Sequence, residues 1–284
     1  MSSSLAGRAA VVVGGTRGVG LEVARLLSSL GAGVIVNGRD EVAANQAAQE
    51  IPGAIAFPGS PADPAVADAL IDRCVGEFGR IDILVNCAGT AEPVGSSILN
   101  VTSAQFRGLL DAHLLTAFET CRAVAPRMVA QGGGAIVNTS SFAFLGDYGG
   151  TGYPAGKGGV NSLTLAIAAE LKEHGVRANV VCPGAKTRLS TGADYENHIT
   201  ELNKRGLLDD VSFQGALDAA PPHYVAPTYA YLASDLANDV TGQIFIAAGG
   251  FVGRFDRQSP SIVAYRGHDD EPPWTIDEIA AQVR

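Results

Sequence analysis

Val11-Val12-Val13-Gly14-Gly15-Thr16-Arg17-Gly18-Val19-Gly20-Leu21 joins a β-branched run to a glycine-rich bend and then to an amphipathic period continued by Ala24, Leu26 and Leu27. The run predicts a buried parallel strand and the period a helix. Glycines at such a bend let the backbone turn tightly and approach a pyrophosphate, whose charge meets the helix N-terminus. Outward from this turn the same rhythm repeats. Apolar runs at Ala9–Val13, Val34–Asn37, Ala54–Phe57, Ile81–Asn86, Ala135–Thr139, Ala178–Cys182 and Gln243–Ala247 alternate with segments of helical length. That alternation predicts an α/β fold, a Rossmann-like doubly wound parallel sheet of seven strands with helices on both faces. Crossovers should be right-handed, and a ligand crevice should open at the carboxyl ends of the strands. One domain over residues 1–250 and a C-terminal extension over 251–284 account for the chain.

The composition narrows the function. The 284 residues are 46% hydrophobic with 35 glycines, enough for a sizeable core. A net charge of -9 opposes nucleic acid and anionic lipid as partners. No apolar run reaches the ~18 residues of a membrane span, and Met1 to Arg8 lack a signal-peptide layout, so a cytoplasmic protein is expected. Cys74, Cys87, Cys121 and Cys182 lie far apart with no CxxC spacing, which favours buried free thiols over disulfides or a metal site.

Chemistry-bearing residues follow the predicted strands. Asn37-Gly38-Arg39-Asp40 ends the second, with Gly38 where a carboxylate for the ribose hydroxyls of NAD would stand. Arg39, joined by Arg17, suits the extra phosphate of NADP, so NADP(H) is favoured and NAD(H) remains open. Ser140 and Ser141 end the fifth strand, and Tyr153 and Lys157 stand four apart at the start of the period Val160, Leu163, Ile167, Leu171. At that spacing a tyrosine and a lysine share one helix face. A neighbouring ammonium stabilises phenolate, so the pair predicts a phenol of lowered pKa able to exchange a proton with a carbinol oxygen.

With these motifs in this order, the chain resembles a short-chain dehydrogenase/reductase over about residues 8–250. The family's TGxxxGxG appears as Val13 to Gly20, its NNAG as Asn86-Cys87-Ala88-Gly89, its YxxxK as Tyr153 to Lys157 and its PG turn as Pro183-Gly184. The resemblance implies hydride transfer between nicotinamide and a secondary alcohol or ketone. Tyr153 would be the acid or base, Ser141 would hold the substrate oxygen, and Lys157 would hold the nicotinamide ribose. The strand alignment selects Ser141, whereas the family's usual spacing to the tyrosine would select Ser140. Cofactor contacts are implied for Gly14, Thr16, Arg17, Gly18, Val19, Gly20, Arg39, Asn86, Ala88, Gly89, Tyr153, Lys157, Pro183, Gly184 and Thr187. Gly89 would be needed because a side chain would meet the cofactor, and Asn86 would also brace neighbouring strands.

Three positions depart from the family. His113 stands in the helix expected over Thr102 to Ala130 where an asparagine usually holds the water of a proton relay; imidazole could hold that water, break the relay, or simply pack in the core. Gly59-Ser60 replaces the aspartate near the adenine, and Lys186 replaces an aliphatic residue. Residues 185–220 should form a substrate lid. Cys182 to Leu189, Pro222 to Pro227 and Gly249 to Gly253 resemble (R)-3-hydroxyacyl-CoA dehydrogenase domains of multifunctional β-oxidation enzymes, which tilts the substrate toward an acyl thioester. Thr275-Ile276-Asp277-Glu278 has capping-box spacing and predicts a short helix with an apolar face, docked on its own chain or on a neighbour. Trp274 reads as a packing anchor. Similar enzymes pair through two long helices, here Thr102 to Ala130 and Gly152 to His174, which implies a homodimer or homotetramer. The alternative function is a cofactor-binding regulator on the same fold with its chemistry impaired.

Overall fold

The computed structural model describes residues 5–257 and 259–283, so the leader reading of Met1 to Arg8 falls in part outside the described residues. Seven parallel strands, β1 (Ala9–Val13), β2 (Gly33–Gly38), β3 (Ile55–Pro58), β4 (Ile83–Asn86), β5 (Gly134–Thr139), β6 (Val176–Gly184) and β7 (Ile244–Ala248), lie within one or two residues of the expected runs. Their order is 3-2-1-4-5-6-7. The seven-strand expectation is short by one: Gly249 (φ +55°) and Gly250 turn the chain back into β8 (Phe251–Phe255), antiparallel to β7 with Ala248 opposite Phe251. The first residues of the C-terminal extension thus belong to the sheet.

Strand alternation builds two cores. Ala10 and Val12 pack with Val23, Ala24 and Leu27 of α1 (Gly18–Ser29) and with Tyr229 and Ala233 of α9 (Ala226–Ala233). Ala9, Val11 and Val13 face the other layer, where Leu70 and Cys74 of α3 (Pro64–Phe78) meet Val124 and Met128 of α5 (Thr116–Gln131) and Ala168 of α6 (Gly152–Leu171). A short α2 (Glu41–Gln49) follows β2. Local signals set the helix ends: Asp63 caps α3 with Pro64 in its first turn, and Gly79 (φ +74°) ends it. Cys74, Cys121 and Cys182 are buried free thiols and Cys87 is half-buried. Among the described residues no helix is long and apolar enough to cross a membrane.

The helix expected over Thr102 to Ala130 runs without interruption from Ser103 to Gln131, but with a widened turn inside it. Thr102 and Gln105 form a capping box for α4 (Ser103–Leu110), a single π-helical turn covers Asp111–Leu115, and α5 follows. Thr116 Oγ1 donates to the Asp111 carbonyl five residues back at 2.8 Å. Two glycines of α6 admit the widened turn: a Cβ on Gly156 would lie 3.2 Å from His113 Cβ, and one on Gly159 would lie 2.9 Å from Leu114. The second long helix also stops short of its expected end, giving way to a 3₁₀ turn at Lys172–His174.

Residues 185–220 hold a 3₁₀ turn at Arg188–Ser190, then α7 (Ala193–Lys204) and α8 (Asp210–Leu217), around a small core of Ile199, Leu202 and Leu208. In the extension, Glu278 accepts from Thr275 N at 2.8 Å and Thr275 Oγ1 from Glu278 N at 3.3 Å, the reciprocal cap expected for α10 (Ile276–Val283). Its apolar face is not docked on its own chain, since Ile276 and Val283 stay 87% and 70% exposed. Trp274 anchors no core; the Arg266 guanidinium stacks over it at 3.9 Å and reaches Glu278 at 2.8 Å.

Candidate active site

A crevice of about 1320 Å³ opens at the carboxyl ends of the strands, where the chain, having run outward through β2 and β3, returns to β4 beside β1. Gly14, Thr16, Arg17, Gly18, Val19 and Gly20 line one wall. Gly14 (φ +72°) and Gly18 (φ +54°) adopt left-handed backbone, and a Cβ on Gly14 would stand 2.6 Å from Ala88 N. Helix α1 carries no side-chain cap, so its first N–H groups face the crevice as an anion cradle. Across from Gly18, 3.5 Å from where its Cβ would be, lies the Thr187 methyl.

At the end of β2 no carboxylate reaches the crevice. A Cβ on Gly38 would stand 2.3 Å from Thr16 Cγ2, and Asp40 turns away to accept from Ala43 N at 2.7 Å as the cap of α2. Arg17 and Arg39 are exposed on the crevice, without an ion-pair partner among the described residues. Ser60, Pro61 and Ala62 line the side where the family's adenine aspartate is replaced, and Asp63 is committed to capping α3. Asn37 Oδ1, also at the crevice, is a buried acceptor with no partner.

Asn86 points elsewhere. Its amide donates to Asn138 Oδ1 at 2.9 Å and accepts from Thr120 Oγ1 at 2.9 Å, so it braces β4 to β5 and α5, and Cys87, Ala88 and Gly89 line the crevice in its place. Gly89 has a reason internal to the protein: a Cβ there would meet His113 Cε1 at 2.7 Å and Nδ1 at 2.9 Å.

Ser141, Tyr153 and Lys157 converge beside this wall, as do Pro183 and Gly184 from β6. The two serines separate cleanly. Ser140 is buried and donates to the Lys157 carbonyl at 3.0 Å, whereas Ser141 Oγ accepts from Ala143 N at 3.2 Å and acts on the Tyr153 phenol, whose pKa it draws down. Lys157, 4% exposed, donates through Nζ to the Thr139 carbonyl at 2.8 Å and lies 5.8 Å from the Tyr153 ring centre. Burial pushes its pKa down to about 8, with the Cys87 and Cys182 thiols opposing. The expected lowering of the phenol is not found. Burial holds the Tyr153 pKa above its ordinary value, the Ser141 hydrogen bond opposes, and Lys157 spends its nearest contact on Thr139.

His113, in the π-helical turn, is 3% exposed and packs edge-on against the Tyr153 ring at 4.8 Å. Its Nε2 lies 3.0 Å from the Thr90 carbonyl and 3.5 Å from the Thr90 N–H; the shorter contact is to an atom that can only accept, which favours the proton on Nε2. Nδ1 is then a bare acceptor, buried without a partner near Gly89. Burial and the Lys157 charge push the His113 pKa down to about 3, against the bond to Thr90, and the ring is neutral at pH 7.

Sequence reasoning did not single out Thr139, Thr90 or Glu92. Thr139 stood only as a strand end; Thr90 and Glu92 lie in an irregular segment and bind partners 23 to 61 residues away, which no local pattern announces.

The family model for short chain dehydrogenases matches residues 8–196. The chain is 34% identical over 256 residues to a 3alpha-hydroxysteroid dehydrogenase of Mediterraneibacter gnavus, covering 88% of this chain and 98% of that protein. It is 34% identical over 302 residues to the hydroxyacyl-CoA dehydrogenase ChsB1 of Mycobacterium tuberculosis, covering 100% and 89%. A 3-oxoacyl-[acyl-carrier-protein] reductase FabG of Chlamydia muridarum is 30% identical, over 88% of this chain and 99% of that one. Among solved structures, a short chain dehydrogenase from Mycobacterium avium superposes with a TM-score of 0.78 at 27% identity, covering 98% and 93%.

Proposed function

The chain belongs to the short-chain dehydrogenase family and is an oxidoreductase acting on CH–OH groups, and from that premise we propose an NADP(H)-preferring enzyme that interconverts a secondary alcohol and a ketone, with 3-hydroxyacyl or 3-oxoacyl thioesters as the substrate class. The observation that carries this reading is the convergence of Ser141, Tyr153 and Lys157 on the crevice that the glycine turn and α1 open toward. When bound, the nicotinamide gives or takes the hydride. The cradle of α1 and the unpartnered Asn37 acceptor are features that suit a dinucleotide there.

Tyr153 is the general acid in reduction and the base in oxidation. The raised phenol pKa keeps its proton in place at neutral pH, as a reductase needs. Ser141 holds the substrate oxygen, and Lys157 Nζ, fixed by Thr139, holds the nicotinamide ribose. His113 Nδ1 is the acceptor that holds a proton-relay water behind Lys157. NADP is favoured by Arg17 and Arg39 at the crevice and by Gly38, where a side chain would have to displace Thr16. The thioester class is supported by two relatives, the hydroxyacyl-CoA dehydrogenase and the 3-oxoacyl-[acyl-carrier-protein] reductase, by Lys186 and Arg188 in the crevice, and by the apolar crevice residues Val94, Leu189, Val211 and Phe251.

A cytoplasmic homodimer or homotetramer assembled through α4–α5 and α6 completes the reading. Phe118 on α5 is 43% exposed, which suits a face covered by another copy. The test is titration with NADPH and NADH, then addition of acetoacetyl-CoA, longer 3-oxoacyl thioesters, a 3-ketosteroid and cyclohexanone while nicotinamide absorbance is followed. Thioester-dependent oxidation of NADPH is expected. Binding without turnover across the panel would replace this reading with a cofactor-binding regulator.

A further inference from the structure

The first turn of α6 lacks a cap of its own. Thr151 precedes it with no side-chain hydrogen bond, and Pro154 in that turn has no N–H to offer. The remaining free donors are the N–H groups of Thr151, Gly152 and Tyr153, and one carboxylate takes all of them. Glu92 Oε1 accepts from Thr151 N at 3.3 Å and Gly152 N at 3.4 Å, and Oε2 accepts from Tyr153 N at 2.5 Å. Ser96 Oγ donates to the same Oε1 at 2.8 Å and so fixes the carboxylate from its own side. The backbone makes room for it: a Cβ on Gly150 (φ +78°) would stand 2.8 Å from Glu92 Cγ.

Glu92 and Ser96 belong to the irregular segment between β4 and α4, which lines the crevice from Ala91 to Ser96 and continues directly from Gly89. The residue they hold is Tyr153 itself, by its own backbone N–H. We propose that Glu92 is a positioning residue that locks segment 90–101, which lines the crevice through Ala91 to Ser96, to the first turn of α6, so that ordering of that segment around a substrate sets the Tyr153 phenol. This rests on the reading of Tyr153 as the acid–base group. The other titratable groups facing Tyr153 are Lys157 on α6, His113 in the π-helical turn, Cys182 on β6 and Tyr195 on α7, with the Ser141 hydroxyl at the end of β5.

Glu92→Gln keeps the shape but turns an amide N–H₂ toward backbone donors, and Glu92→Ala removes the lock. Hydrogen–deuterium exchange of the NADPH-bound protein reads the coupling without a substrate. Both variants should lose protection in the first turn of α6 and in segment 90–101 together, with the NADPH dissociation constant within about twofold of the parent. Turnover of the substrate found in the panel should fall at least about tenfold, in kcat rather than KM. Parent-level exchange in Glu92→Ala, or loss confined to one of the two segments, would overturn the proposal. So would unchanged kcat in a folded variant that binds NADPH. If Tyr153→Phe is inactive while the Glu92 variants turn over normally, the lock alone fails; if Tyr153→Phe stays active, the acid–base reading fails first. Should Glu92→Ala not fold, Glu92→Gln carries the same readouts.

Discussion

His113 leaves its ordinary titration range because the fold takes it out of water and sets it beside the Lys157 ammonium. The unfolded chain binds a proton at this imidazole below a pH of about 6.5, whereas the folded chain does not until about 3. Between those values the unfolded state holds more protons. Stability from this group is therefore complete above 6.5 and is lost as pH falls toward 3, with a slope of up to about 1.4 kcal/mol per pH unit. In His113→Asn that slope should disappear, so urea midpoints at pH 7, 5.5 and 4.5 should spread less than in the parent; parallel curves would show that His113 is protonated in the fold. The same residue bears on turnover, because asparagine also offers an acceptor near Lys157, and activity should survive that exchange within about tenfold. Tyr153→Phe is the opposite case. It removes only the hydroxyl, so turnover should fall by roughly a hundredfold to ten-thousandfold while NADPH affinity barely changes, as equilibrium titration beside steady-state kinetics would measure. Appreciable remaining activity would assign the acid to another group.

At the scale of elements, cofactor choice rests on the end of β2, where a side chain on Gly38 would have to displace Thr16 and Asp40 is occupied as the cap of α2. Arg39→Asp replaces the phosphate ligand with a carboxylate at the next position. NADPH affinity should drop at least about tenfold and the NADPH-to-NADH affinity ratio should fall with it; an unaltered ratio would place the phosphate contact elsewhere. Most elements were legible because their signals are local. Val11 to Gly20 states strand, turn and helix in ten residues, and Thr275 with Glu278 states a helix start in four. β8 is also signalled, by Gly249-Gly250 between two apolar runs, which is the pattern of a hairpin rather than of a sheet that ends at β7. The π-helical turn was not legible, since what admits it is a pair of glycines on α6, more than 40 residues away from His113. At the site, residue identity could be read from motif spacing. Burial could not, which is why the phenol pKa was expected to move down and instead moves up. Glu92 lay beyond reach for the same reason as the π-helical turn: its partners are 59 to 61 residues on.

The whole molecule carries a net charge of -9, yet Arg17, Arg39, Lys186 and Arg188 all line one crevice. A strongly negative surface repels an anionic cofactor at long range, and a cluster of guanidinium and ammonium groups in a low-dielectric cleft attracts it at short range. Acidic groups share the crevice, Glu92, Asp111 and Asp194 among them, but Glu92 is held at the N-terminus of α6 by three backbone donors and is not free to meet a phosphate. The two arginines nearest the glycine turn are exposed, so salt screens them. NADPH differs from NADH by one phosphate, and the arginines are the groups placed to meet it. Its affinity should therefore fall more steeply with ionic strength than that of NADH, and the ratio of the two should drop several-fold between about 0.05 and 0.5 M salt. Isothermal titrations of both cofactors across that range make the comparison, and Arg17→Ala should flatten the NADPH dependence while leaving that of NADH nearly unchanged. Equal salt slopes for the two cofactors would mean that the extra phosphate lies outside the reach of Arg17 and Arg39. The selectivity would then have to come from the shape of the pocket around Gly38 and Thr16.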